Sequence, residues 1–173
     1  MTDQVAYTTY FENLARNHKS ILHQEAGDLK KKHFARSGNM FEFENALKKG
    51  AQFPLLVLNP KTASSNGTLT NQRRFYKGGL SVLKPLNRGN STQNDIDQIR
   101  KDCEDIIEDI IQKMINDRRK RVLEGLNLGG FVIQEEGPLN DNLYGAHLSF
   151  SWDIEIVTLF DASKWNNETA FTI

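Results

Sequence analysis

The stretch from Thr92 to Arg118 limits most severely what this chain can fold into. Ile96, Ile99, Cys103, Ile106, Ile110 and Met114 recur at helical spacing, and Ile107, Ile111 and Ile115 widen the stripe. Asp95, Asp97, Asp102, Glu104 and Asp105 crowd the first half, while Arg118, Arg119, Lys120 and Arg121 follow the last turns, so the charges run with the helix dipole. Thr92 and Asp95 stand at the spacing of a capping pair. The pattern predicts a helix over 92–118 that can be followed toward Glu124, and at about 1.5 Å per residue it is on the order of 40 Å long. With one apolar stripe, such a helix has to lie across a sheet. Cys103 then belongs to the packed face, since a reactive thiol would want a nearby base and partial exposure.

The remaining segments supply that sheet. Residues 4–25 read as an amphipathic helix through Val5, Tyr7, Tyr10, Phe11, Leu14, Ile21 and Leu22, stopped by Ala26-Gly27. His18 and His23 sit about 140° apart on it, which does not present two imidazoles to one metal. Lys30, Lys31, Lys32 and His33 form a connection whose charges suit a solvated face better than a binding tract. Asn39–Lys49 is a shorter helix, capped by Asn39 with Glu42 and closed by Gly50. "FPLLVLNP" (53–60) is apolar throughout, as a strand buried on both sides would be. "KTASSNGTLTNQ" is turn chemistry with Asn66-Gly67 at its tip, and "RRFYKGGLSVLKPL" returns as a strand bent at Gly78-Gly79. Together they predict a basic hairpin arm over 59–79. "FVIQEE" (131–136) and "GAHLSFSWDIEI" (145–156) make an antiparallel pair, followed by a polar tail over 160–173 that carries Trp165 and Phe171. The expected fold is a single α+β domain over 1–173: an antiparallel sheet with a long helix packed across it, an N-terminal helix and a protruding β-hairpin.

At 173 residues, with 38% hydrophobic and 25% charged residues, the chain can bury a core and does not read as disordered. No apolar run approaches the roughly 20 residues of a membrane span, the start lacks a secretory pattern, and one cysteine allows no internal disulfide. A cytosolic protein, or one assembled in a cytosol, is the expectation. The zero net charge conceals a segregation. Residues 45–94 carry no acid and eight bases, and residues 125–173 carry seven acids against Lys164. Either the two segments form opposite patches for a neighbouring copy or a charged partner, or they lie together and neutralise each other.

Local chemistry is thin. His147, Ser149 and Asp153 share one strand face, but a strand rises about 3.3 Å per residue, which places Ser149 and Asp153 roughly 13 Å apart and His147 and Asp153 about 20 Å apart. A hydrolytic triad needs hydrogen-bond contact between successive members, and no Gly-x-Ser-x-Gly elbow occurs. A site completed by residues elsewhere remains open to His147 and Ser149. No phosphate loop, dinucleotide fingerprint, His-Glu-x-x-His or Cys-x-x-Cys is present, so no cofactor and no metal are expected, and Asp102, Glu104, Asp105, Glu108 and Asp109 read as a wet helix face. "RRFYK" (73–77) interleaves aromatics with bases, as single-strand nucleic-acid binders do, and equally suits a protein interface.

In element order, and in "FEFENALKKGAQFPLLVLNP" (41–60) and "SFSWDIEIVTLFD" (149–161), the chain resembles the tail-terminator and tail-completion (neck) proteins of tailed bacteriophages. That resemblance implies a non-enzymatic subunit, a homo-oligomer closing as a hexameric ring, that joins the tail tube to the neck. It would meet tail-tube and neck proteins and passing DNA, and reside in a virion assembled in the host cytoplasm. On that reading Arg73, Arg74, Tyr76 and Lys77 form one flank of the interface, and Asp153, Glu155 and Trp165 the other. The alternative is a nucleic-acid-binding module using the basic 73–88 stretch.

Overall fold

The computed structural model describes residues 4–24, 32–37, 40–68, 71–87, 92–140 and 142–156. In chain order the elements are α1 (Gln4–Asn17), β1 (Phe34–Arg36), α2 (Met40–Lys48), β2 (Leu55–Leu58), β3 (Thr62–Thr68), β4 (Asn71–Pro85), α3 (Gln93–Arg119), β5 (Val132–Leu139) and β6 (Leu143–Ile156). The class is α+β: one six-stranded sheet in the order β1-β2-β4-β6-β5, with β3 also paired to β4, and a long helix across it.

Alternation builds the two layers. Tyr76, Leu80 and Val82 of β4 and Ala146, Leu148, Phe150 and Trp152 of β6 face α1 and α3 in the main core. Helix α3 answers with Cys103, Ile106, Ile107, Ile110 and Met114, the stripe legible in its sequence. Each buried isoleucine there contributes about 1.5–3 kcal/mol of apolar burial. The Asp95 carboxylate accepts from the Thr92 backbone N–H at 2.7 Å and from its hydroxyl at 2.9 Å, fixing where α3 begins. On the opposite sheet face, Phe43 of α2 packs with Ala35, Leu55, Val57, Leu83 and Leu143 in a smaller core. Strand β2 therefore has no wet side, and its apolar run follows.

Three elements differ from the sequence expectation. The first helix ends at Asn17 rather than continuing to 25; residues 18–22 follow in turns, with Ile21 and Leu22 N–H donating to the His18 carbonyl and Leu22 at φ 54°, and Ile21 still reaches the core. Phe34–Arg36, assigned to no element in the sequence, is a strand parallel to β2, so β1-α2-β2 is a parallel crossover unit in an otherwise antiparallel sheet. Asn66 and Gly67 are not a hairpin tip: they lie within β3 opposite Arg73 and Gln72, and the last registered pair is Thr68 with Asn71. Helix α2 closes as expected with Gly50 at φ 79°, whereas its Asn39–Glu42 cap falls outside the described residues. The tail over 160–173 also lies outside them.

Candidate functional site

The basic and acidic segments meet inside one molecule. β4 and β6 are neighbours along their whole lengths, with Arg73 opposite Glu155, Phe75 opposite Asp153 and Lys77 opposite Ser151. Arg73 forms an ion pair with Asp153 at 2.9 Å. Lys84 of the basic segment binds Asp102 of α3 at 2.7 Å, and Glu135 of the acidic segment binds Arg100 at 2.9 Å. The two segments therefore lie side by side in the sheet, joined among the described residues by the Arg73–Asp153 pair. The two expected flanks, Arg73, Arg74, Tyr76 and Lys77 against Asp153 and Glu155, are adjacent strands of one subunit rather than opposite sides of it.

Tyr76 is 4% exposed and is a core residue. Its ring stacks on Trp152 at 5.2 Å between centroids, Trp152 stacks on Tyr7 at 5.7 Å, and the Lys61 ammonium lies 5.1 Å from the Tyr76 ring centre. An aromatic so enclosed cannot stack on a base. Arg73, Arg74 and Lys77 are exposed, as is Phe75 between them, and Trp165 lies outside the described residues.

Beyond this aromatic cluster the sheet continues as three strands, β3, β4 and β6. What was expected as a two-stranded arm is thus stiffened on one side by β6. Its other side is the outer edge of β3, the sequence TASSNGT, in which no residue is charged. Sheet edges that stay unpaired in water are ordinarily blunted with charges, prolines or bulges. Thr62, Ala63, Ser64 and Ser65 are exposed and bring none of these.

On the sheet face that carries α2, register lines up Val57, Ser81, His147 and Gln134 across four strands. Ser81 Oγ lies 3.0 Å from His147 Nδ1, and Ser149 Oγ lies 3.2 Å from Nε2. A neutral imidazole has one N–H, so one serine donates to the ring while the other accepts from it. Ser81, buried, is the member that inspection of one strand could not find. Asp153 takes no part, being engaged with Arg73. For acyl transfer the cluster would need free backbone donors to hold an oxyanion. On two interior strands those N–H groups are committed to the ladder, and what remains is a hydrogen-bond chain that satisfies the buried Ser81 hydroxyl.

Among the described residues no three His, Cys, Asp or Glu side chains gather to hold a metal ion, and no helix is long and apolar enough to cross a membrane. Burial pushes the Cys103 thiol up to about 12, leaving it without nucleophilic character at neutral pH. No protein-family model matches the chain, and no curated protein matches its sequence.

Proposed function

We propose that this chain is a non-enzymatic assembly subunit that closes into a ring by strand addition at β3, in the manner that its resemblance to tail-terminator and tail-completion proteins of tailed bacteriophages implies. The observation that carries the reading is the uncharged, seven-residue outer edge of β3 on a stiff three-stranded extension. Main-chain pairing along such an edge needs no side-chain complementarity, and a head-to-tail contact whose rotation closes gives a ring. On this reading affinity comes chiefly from backbone hydrogen bonds, since the two charged segments lie on neighbouring strands of one subunit. The proposed ring is a hexamer that meets tail-tube and neck proteins at its two faces, in a virion. The alternative of a nucleic-acid module on residues 73–88 retains Phe75, Arg74 and Lys77 but loses Tyr76 as a stacking surface.

Light scattering after size exclusion, with and without tail-tube protein, tests the proposal. The wild-type chain should assemble with rising concentration, largely indifferent to salt. Ser64→Lys/Ser65→Lys, which charges an exposed edge, should stay monomeric with an unchanged circular dichroism spectrum. A wild-type chain that remains monomeric alone and with tube protein, or a doubly charged variant that assembles normally, would refute it.

A further inference from the structure

Two histidines tie the chain beyond α1 to the start of β1, and their ring nitrogens are used in opposite senses. The His33 backbone N–H donates to His23 Nδ1 at 3.1 Å, and His33 Nδ1 lies 3.0 Å from the Pro54 carbonyl oxygen. A backbone N–H can only donate, so His23 Nδ1 is the lone-pair nitrogen and the neutral ring carries its proton on Nε2. A carbonyl oxygen can only accept, so His33 Nδ1 already carries a proton. A second proton therefore leaves the His33–Pro54 bond in place. On His23 it takes the lone pair from Nδ1, whatever meets Nε2, and the His33 N–H loses its acceptor.

The surroundings of His23 add to the cost of charging it. The residue is 4% exposed, with the Phe34 ring 5.7 Å away between centroids. It lines a cavity of about 350 Å³ with Thr8 and Glu12 of α1 and with Lys32, Phe34 and Arg36 along β1. Glu12 is engaged with Arg16 on its own helix, while Lys32 and Arg36 oppose a third positive charge; Glu25 and Asp28, near His23 in the chain, lie outside the described residues. His33 is also where β1 is fastened to the sheet. Its carbonyl accepts from the Leu56 N–H at 2.8 Å, next to a strand of three registered pairs. We infer that His23 is a pH-sensitive latch on β1, holding the start of the strand through the His33 N–H when neutral and releasing it when protonated. The latch is separate from the β3 edge, so it stands or falls independently of ring assembly.

NMR of the 15N-labelled full chain reads the latch directly. Near neutral pH the ring nitrogens should place the proton on Nε2 of His23 and on Nδ1 of His33. As pH falls, the His33 amide resonance should move at the pH where His23 takes up its second proton. Urea unfolding reads the linkage. The unfolded chain protonates His23 near pH 6.5, the folded chain only after giving up the bond, so this stabilisation is full above that pH and fades below it. Between pH 6.5 and 5.5 the wild-type unfolding constant should rise by up to about tenfold more than that of His23→Asn, whose Oδ1 can accept the same N–H without titrating. His33→Asn, whose amide can still donate to Pro54, should keep the wild-type pH dependence. His23→Asn fills less space and is less stable at every pH, so the difference between the two pH values is what counts; should it fail to fold, the wild-type spectra decide alone. The inference is overturned by a neutral His23 with its proton on Nδ1, by a His33 amide that does not respond when His23 is protonated, or by a His23→Asn chain that loses as much stability on acidification as wild type.

Discussion

Replacing Gly78 with alanine probes the point where β4 passes under the aromatic cluster. Gly78 is registered opposite Phe150, and a Cβ there would lie 2.7 Å from Phe150 Cζ and 2.7 Å from the Tyr7 hydroxyl oxygen. Comfortable carbon–carbon contact is about 3.5–4.0 Å, so close to 1 Å must be found. Both rings are fully buried, and the Tyr7 hydroxyl donates to the Asn59 carbonyl at 3.1 Å. Burial raises the Tyr7 phenol above its ordinary range, so the donor persists at alkaline pH. Overpacking of this kind costs about 1–3 kcal/mol, and a strained or lost hydrogen bond about 1 kcal/mol more. Alanine returns about 0.5–1 kcal/mol through chain entropy. The net loss should be about 1.5–3 kcal/mol, or a fall in Tm of about 4–10 °C for a chain of this size. Urea unfolding followed by circular dichroism measures it, with Gly129→Ala as control, since a Cβ there meets only Asn127 Oδ1 at 3.7 Å. Adding Tyr7→Phe removes one of the two clashing atoms, so the double variant should lose less than the sum of the single losses. A Gly78→Ala protein as stable as wild type, or strict additivity with Tyr7→Phe, would refute the reasoning.

Three further outcomes follow from polar and ionisable side chains. Tyr10→Phe removes the hydroxyl that donates to Asp117 at 2.9 Å and leaves that 4%-exposed carboxylate with Lys113; about 1–2 kcal/mol should be lost in urea unfolding, and an unchanged midpoint would contradict it. The Cys103 thiol should ignore a disulfide exchange reagent at mildly alkaline pH in the native protein and react fully once guanidinium unfolds it; prompt native reaction would show the site to be open. The Lys84 ammonium, with help from Gln98, holds the Asp102 carboxyl below its ordinary value, so the pair contributes stability above about pH 4 that fades as pH falls through the folded-state value. Lys84→Met should therefore lower the urea midpoint at neutral pH and do so less under strongly acidic conditions; an equal loss at both would argue against the pairing.

What could be read in the sequence was whatever depends on near neighbours along the chain. The stripe of α3, its Thr92–Asp95 start and the apolar run of β2 are each set by residues a few positions apart. Strand β1 was invisible because three residues, Phe34–Arg36, carry no alternation, and β1 becomes a strand only by pairing with β2. The Asn66-Gly67 dipeptide has turn chemistry, yet the register imposed by β4 continues past it to Thr68 and Asn71. Ser81 is a small polar residue within the apolar second half of β4. Its partner His147 lies 66 positions away and is reached only through the β4–β6 ladder.

Charge segregation along a chain is a weaker argument for an interface than it looks, and the sheet order gives the reason. β4 and β6 are separated in sequence by the whole of α3 and β5, so segments of opposite sign read as distant patches. In an antiparallel sheet they are the two strands most fully paired, and opposite signs on facing residues are what cross-strand neighbours favour. Arg73 is 54% exposed and Asp153 25%, so their ion pair contributes at most about 1 kcal/mol and its loss would hardly be felt in stability. Its larger consequence is for association: Arg73 and Asp153, engaged with each other, have less left to offer a neighbour. Among the described residues, the uncharged outer edge of β3 is the part of the sheet extension that has no strand registered beside it.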